Sequence, residues 1–123
     1  MVDAPETSAP VHTQQTWVNV CQLSQLIEDS GVPALLENGQ QVAIFYLPQD
    51  AQSVFAVSNF DPIGEANVLY RGIVGSVAGE PVVASPLYKQ HFSLLDGRCL
   101  DDDNASVQVY PTRIEDGQVQ LLV

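Results

Sequence analysis

Positive charge is scarce in this chain. Four basic residues, Arg71, Lys89, Arg98 and Arg113, stand against 15 carboxylates, for a net charge of −11. They do not cluster in sequence. Binding a phosphate backbone needs many cations along one face, so nucleic acid is a poor partner on charge. Anionic membrane surfaces are disfavoured for the same reason. A basic protein surface would be attracted, although solubility alone is the plainer reading of such a balance. Long apolar runs are also missing. Val42 to Leu47 is among the longest, far short of the roughly 20 residues that a membrane helix needs. The chain does not open with a basic segment followed by an apolar stretch, so no export signal is expected. Only two cysteines are present, Cys21 and Cys99, far apart in sequence. Without an export signal the cytosol is the expected compartment, and both read as reduced core residues. A disulfide between them is not implied by the count. No GxGxxG, P-loop or nucleophile elbow occurs, so nucleotide binding and serine hydrolase chemistry have no support.

What remains is an ordinary globular composition. The 123 residues are 46% apolar and only 15% charged, enough for one domain with one real core and no disulfide staples. Residues 1 to 15 are rich in Ala, Pro, Thr, Ser and Gln and show no apolar period. They read as a flexible tail in which His12 has no role. The ordered domain is expected to span residues 16 to 123.

Strand signals dominate that domain. Trp17-Val18-Asn19-Val20 alternates apolar and polar positions, as a half-buried strand does. Ser24 could cap a short helix over residues 24–29, ended by Gly31 and Pro33. Asn38-Gly39 is a two-residue hairpin signal, with both positions expected at positive φ. Residues 41–47 and 53–58 follow as strands, separated by Pro48-Gln49-Asp50. Residues 59–79 read as a long irregular loop carrying Pro62 and four glycines, with a short apolar piece at Asn67 to Tyr70. Strand character returns at residues 81–84 and 89–94, and Asp96-Gly97 marks a turn. A hairpin closes the chain, residues 107–114 and 118–123 flanking Glu115-Asp116-Gly117. Many short strands with regular turns predict an all-β sandwich or barrel of several small antiparallel sheets, with one short helix near residues 24–29.

Such a fold does not define a function. The one histidine in the ordered part, His91, sits in a strand beside Phe92 and reads as a structural or surface residue. Asp101 to Asp103 lack the glycine and terminal glutamate of a calcium loop and read as a solvated turn.

One segment is more specific. Ser85-Pro86-Leu87-Tyr88 leads into a short strand with Phe92 and then the Asp96-Gly97 turn. This order resembles the second cluster-binding loop of Rieske iron–sulfur domains, Cys-Pro-x-His followed by an aromatic strand and a polar-Gly turn. Ser85 stands at the cysteine position and Tyr88 at the histidine position. The first loop of that family, Cys-x-His, matches Asn59-Phe60-Asp61, with Asn59 for the cysteine and Asp61 for the histidine. A Rieske cluster takes two thiolates on one iron and two imidazoles on the other. Amide, carboxylate, hydroxyl and phenol are hard donors that do not replace them. The expectation is therefore a Rieske-like scaffold with no [2Fe–2S] cluster and no metal. Hydrogen bonds would join the two loops, and side chains such as Tyr88 would fill the former cluster pocket.

Within this superfamily the chain resembles the small subunit of bacterial cytoplasmic NAD(P)H-dependent nitrite reductase. The resemblance rests on Trp17 to Cys21, Asn59 to Pro62, Leu69 to Gly75 and Pro81 to Phe92. It implies a large partner subunit that carries FAD, siroheme and a [4Fe–4S] cluster and reduces nitrite to ammonium. It implies no catalytic residue in this chain. The candidate partner interface is Asp61, Arg71, Tyr88 and Lys89, near the two loops. Two other readings stand beside it, a Rieske-like interaction adaptor and an electron carrier with a non-standard metal site.

Overall fold

The computed structural model describes residues 15–123, so the tail expected over residues 1–15, with His12, lies outside the described residues save for Gln15. The strands, in chain order, are β1 (Trp17–Gln22), β2 (Ser30–Leu35), β3 (Gln41–Tyr46), β4 (Val54–Ser58), β5 (Phe60–Asp61), β6 (Ala66–Asn67), β7 (Ile73–Val77), β8 (Glu80–Ala84), β9 (His91–Ser93), β10 (Val109–Tyr110), β11 (Thr112–Glu115) and β12 (Gln118–Leu122). All their pairings are antiparallel.

Val42, Ala43, Ile44 and Phe45 are consecutive and fully buried, as are Val54 to Val57. A strand whose side chains alternate between faces can do this only if both faces are covered. Strands β3 and β4 are the inner pair of a four-stranded sheet, ordered β10-β4-β3-β2. One face presents Ala43, Phe45, Phe55 and Val57 to a core shared with Leu69, Val83, Phe92, Leu94, Cys99 and Val107. The other presents Val42, Ile44, Val54 and Ala56 to a second core with Leu26, Leu36, Tyr110, Val119 and Leu121. The sheet β9-β8-β7 covers the first face, and the sheet β11-β12-β1 covers the second. The all-β class holds, with several short antiparallel sheets. Backbone hydrogen bonds of 2.9 and 3.0 Å in both directions join Thr16 to Val123, bringing the two ends of the described fold together.

Three expectations need correction. The helix over residues 24–29 is a single 3-10 turn, Leu23–Gln25, started by Gln22 and not by Ser24. Gln22 and Gln25 cap each other, after which Leu26 turns extended and drops into the second core. Gly31 and Pro33, read as helix breakers, lie within β2. That strand is the sheet's edge, where proline's missing donor is tolerated. Gly31 is required there, because a Cβ would stand 2.6 Å from the Phe45 ring and 2.7 Å from the Tyr70 carbonyl.

Residues 59–79 are not one loop. They hold the β5–β6 hairpin, a 3-10 turn at Leu69–Arg71 and strand β7. The Asn38-Gly39 turn has positive φ at Gly39 alone, at 91°. Two-residue turns with both angles positive occur instead at Ala78-Gly79, with φ of 52° and 84°, and at Asp116-Gly117, with φ of 51° and 77°.

Candidate functional site

The two candidate loops meet at a buried polar contact. Asn59, Asp61 and Ser85 have relative exposures of 0, 0 and 1%, rare for such residues unless every polar atom is partnered. The Ser85 hydroxyl donates to Asp61 Oδ2 at 2.5 Å, across 24 residues of chain. Asp61 Oδ1 accepts the N–H groups of Ile63 at 2.8 Å and Gly64 at 3.0 Å, which folds the first loop around the carboxylate. Ser85 Oγ in turn accepts the Leu87 N–H at 3.2 Å. The second loop closes on itself as Ser85 N–H donates to the Gln90 carbonyl and Lys89 N–H to the Ser85 carbonyl, at 2.9 and 3.0 Å. Leu87 leans on Gly64, where a Cβ would meet Leu87 Cδ1 at 2.4 Å.

Asn59 is part of the scaffold beneath. Its Nδ2 donates to Gln41 Oε1 at 3.3 Å and to the Asn67 carbonyl at 3.2 Å, and its Oδ1 accepts the Tyr70 N–H at 2.8 Å. One side chain thus ties the end of β4 to β6 and to the Leu69–Arg71 turn.

Tyr88 does not fill a pocket between the loops. It is 64% exposed, carried outward by a loop that turns back through Lys89 at φ 68°. Asp61 is likewise removed from the candidate interface, since its side chain is spent inside the loop pair. Its neighbour Phe60 faces solvent in its place, 42% exposed, and Leu87 is 45% exposed. Ile73, 70% exposed, pairs with Ala84, the residue before Ser85. Sequence reasoning included Ile73 only within the Asn67 to Gly79 segment and did not single out Phe60 or Leu87. For Phe60 the signal was the period of two, which puts residue 60 outward when residues 59 and 61 point in.

Charge is distributed unevenly around this surface. Arg98 is held by Glu80 Oε1 at 2.7 Å and Asp96 Oδ2 at 2.6 Å, and its hydrogen bonds hold both carboxyls below their ordinary values. Glu80 also accepts the Ser93 hydroxyl. Arg113 lies over the Trp17 ring at 4.3 Å and donates to Gln120. The other two cations, Arg71 and Lys89, are exposed on the loop side. Arg71 Nε donates to the Tyr70 hydroxyl at 2.9 Å, which raises the guanidinium pKa further. His91 is apart from this surface chemistry. Its Nδ1 lies 3.0 Å from Asp101 Oδ2, and the same oxygen takes its backbone N–H, so Asp101 is an anchor for β9.

The residues at the four expected ligand positions, Asn59, Asp61, Ser85 and Tyr88, do not fit an iron–sulfur cluster. They offer an amide, a carboxylate, a hydroxyl and a phenol where two thiolates and two imidazoles are needed. The first three are committed to protein hydrogen bonds, and the fourth points to solvent. Both cysteines are free and lie in different cores, Cys99 against Phe92 and the half-buried Cys21 on β1 beside Val119. Among the described residues no group of three His, Cys, Asp or Glu side chains could hold a metal ion. Gln90 Oε1 is a buried acceptor lacking a partner among the described residues, and one such atom does not make a ligand set. Surface hollows of about 680 and 540 Å³ lie elsewhere, one beside Gln22 to Leu26 and one between β1 and the Leu35–Asn38 turn.

Four small sheets with two adjoining loops at the ends of β4 and β8 define a Rieske-like domain whose expected ligand positions carry other chemistry. The Rieske-like [2Fe-2S] domain family matches residues 16–122. The nitrite reductase (NADH) small subunit of Salmonella typhimurium is 49% identical over 105 residues, 85% of this chain and 95% of that protein. The solution structure of the Escherichia coli protein NirD superposes with a TM-score of 0.79 at 44% identity, covering 89% of this chain and 98% of the other. A 110-residue stretch of the nitrite reductase [NAD(P)H] large subunit of Klebsiella oxytoca is 38% identical, spanning 89% of this chain but 11% of that protein. The chain belongs to the Rieske-like [2Fe-2S] domain family, in the branch formed by the nitrite reductase small subunits.

Proposed function

We propose that this chain is the small, non-catalytic subunit of a cytoplasmic NAD(P)H-dependent nitrite reductase and supports the large subunit that turns nitrite into ammonium. The observation that carries the reading is a likeness to small subunits over 85% of this chain and 95% of theirs, combined with a loop pair built from hydrogen bonds. A domain that keeps the loops and has no donor set for a cluster has no electron to pass, so its contribution is contact. The Klebsiella likeness supports this. There a stretch similar to this chain is part of the large-subunit polypeptide, the arrangement expected where two surfaces work side by side at high effective concentration. FAD, siroheme and a [4Fe–4S] cluster are the groups expected in the large subunit.

The docking surface in this reading is the loop tip. Phe60, Ile73, Leu87 and Tyr88 supply apolar area, and Arg71 and Lys89 place two cations on an otherwise acidic molecule. Aromatic anchors flanked by cations are the composition of interface hot spots. An acidic or neutral face on the partner is the complement.

Affinity capture of the tagged chain from cytosolic extract of nitrite-grown cells tests the reading, with absorbance spectra of the eluate and of the chain alone. The expected result is a colourless chain and an eluate holding a large subunit with flavin and siroheme bands. Iron–sulfur absorbance in the chain alone would return electron transfer as its role. A colourless chain that recovers no such subunit would leave the fold and remove the function. Tyr88→Ala and Arg71→Ala variants that captured the subunit as well as the wild type would remove the tip as the docking surface.

A further inference from the structure

We infer that the Asp61–Ser85 hydrogen bond is a clamp that couples the two loops into one docking surface, which makes these two buried residues positioning residues for partner binding. The inference rests on the reading that the tip docks to the large subunit. In a Rieske domain the cluster joins the loops by bonding to both. Here nothing covalent joins them. The side chain at the second ligand position of the first loop instead accepts a proton donor from the first ligand position of the second, at 2.5 Å and with both residues fully buried. A hydrogen bond to a carboxylate in a dry site is shorter and stronger than a neutral one.

The clamp is wired to the surface on both sides. Asp61 Oδ1 fixes the amides of Ile63 and Gly64, and Gly64 is the floor on which Leu87 rests. Ser85 Oγ fixes the Leu87 amide at the start of the exposed Leu87-Tyr88-Lys89 turn. The relative position of Phe60 on one loop and of Leu87 and Tyr88 on the other is therefore held by this O–H···O contact together with the packing of Leu87 on Gly64. Neither residue can touch a partner, so any effect on binding must act through the loops.

Amide hydrogen exchange on the full chain, joined to a binding titration with the purified large subunit carrying its own cofactors, tests this. Ser85→Ala leaves the acceptor of the Ile63 and Gly64 amides in place, so a local loss would not alter their exchange. If the loops are coupled, both amides exchange roughly tenfold faster or more, the range set by one charge-assisted hydrogen bond. Large-subunit affinity falls by a similar factor, and Ser85→Thr, which keeps the hydroxyl, restores both. In the wild-type chain the Ser85 hydroxyl proton gives a slowly exchanging resonance, a measurement that needs no variant to fold. A fast-exchanging hydroxyl, or unchanged Ile63 and Gly64 exchange in Ser85→Ala, would overturn the clamp. Faster exchange with undiminished affinity would overturn its role in docking. Failure of the wild-type chain to bind the large subunit would instead refute the functional reading, and the exchange data would still judge the coupling.

Discussion

Replacing Gly97 by alanine should be among the most damaging single-atom-scale changes in this domain. Gly97 sits at φ 83°, and a Cβ there would lie 2.0 Å from the Val107 carbonyl oxygen and 3.0 Å from Val109 Cγ2. The residue is also held from both ends, its N–H on the Ser93 carbonyl at 2.9 Å and its carbonyl on the Val107 N–H at 2.8 Å. The left-handed backbone alone costs an L-residue roughly 1–2 kcal/mol. Relieving a 2.0 Å contact with backbone means parting the 93–97 turn from Val107, which unmakes a buried hydrogen bond for about 1–3 kcal/mol more. A total of about 3 kcal/mol lowers the melting temperature of a domain this size by roughly 10–15 °C. Two other glycines separate these contributions. Gly39 has φ 91° but open space around its would-be Cβ, so its alanine variant carries the backbone cost alone. Gly75 has neither constraint, and its alanine variant should be neutral or slightly stabilising. Urea unfolding followed through the single tryptophan, Trp17, ranks all three. If Gly97→Ala costs no more than Gly39→Ala, the collision with Val107 is not what the geometry says it is.

Acid should loosen the β8–β9 end of the molecule. The carboxyls of Glu80 and Asp96 are held below their ordinary values of 4.5 and 3.8 by hydrogen bonds from the Arg98 side chain and backbone, respectively. A lowered folded-state pKa stabilises above the unfolded value and loses that contribution as pH falls through the folded one. Stability measured against pH should therefore decline below those ordinary values, and Arg98→Ala should flatten the decline; an equal slope in both proteins would refute it. At the tip, Lys89→Ala and Arg71→Ala should each weaken large-subunit binding roughly two- to fivefold at low salt and less at high salt. Melting temperatures should stay unchanged, and a salt-independent loss would count against an electrostatic role. Thiol labelling of the native chain should reach the half-buried Cys21 first and Cys99 only on unfolding; absence of any reaction under both conditions would reveal a disulfide.

Much of this architecture can be read in the residues, and the failures share a cause. The run Val42 to Phe45 and its echo at Val54 to Val57 announce a sheet buried on both faces. Strands β2 and β7 were hidden because glycine and proline are scored as breakers when only the local chain is in view. Gly31 and Gly72 are instead demanded by neighbours far away in sequence: a Cβ at Gly72 would stand 2.4 Å from the Ala84 carbonyl. The loops were found through their resemblance to a cluster-binding pattern, and the substituted ligand positions followed from it. What the pattern lacked was depth. Nothing in the one-dimensional order tells that Asp61 turns inward while Tyr88 turns outward, or that Asp61 and Ser85 touch. That outcome depends on how tightly two loops 24 residues apart pack once the space between them is closed by Leu87 and Gly64.

The pairing of Thr16 with Val123 makes the fold of residues 16–123 nearly a ring. A short linker across that gap should allow the polypeptide to be reopened elsewhere, for instance within the exposed Asp101–Asn104 turn, as a circular permutant that keeps every sheet. It also means that a covalent joint made at either end of the domain would leave from the same point. A domain with this property can pass between a separate subunit and a segment of a longer protein without altering how it presents its tip.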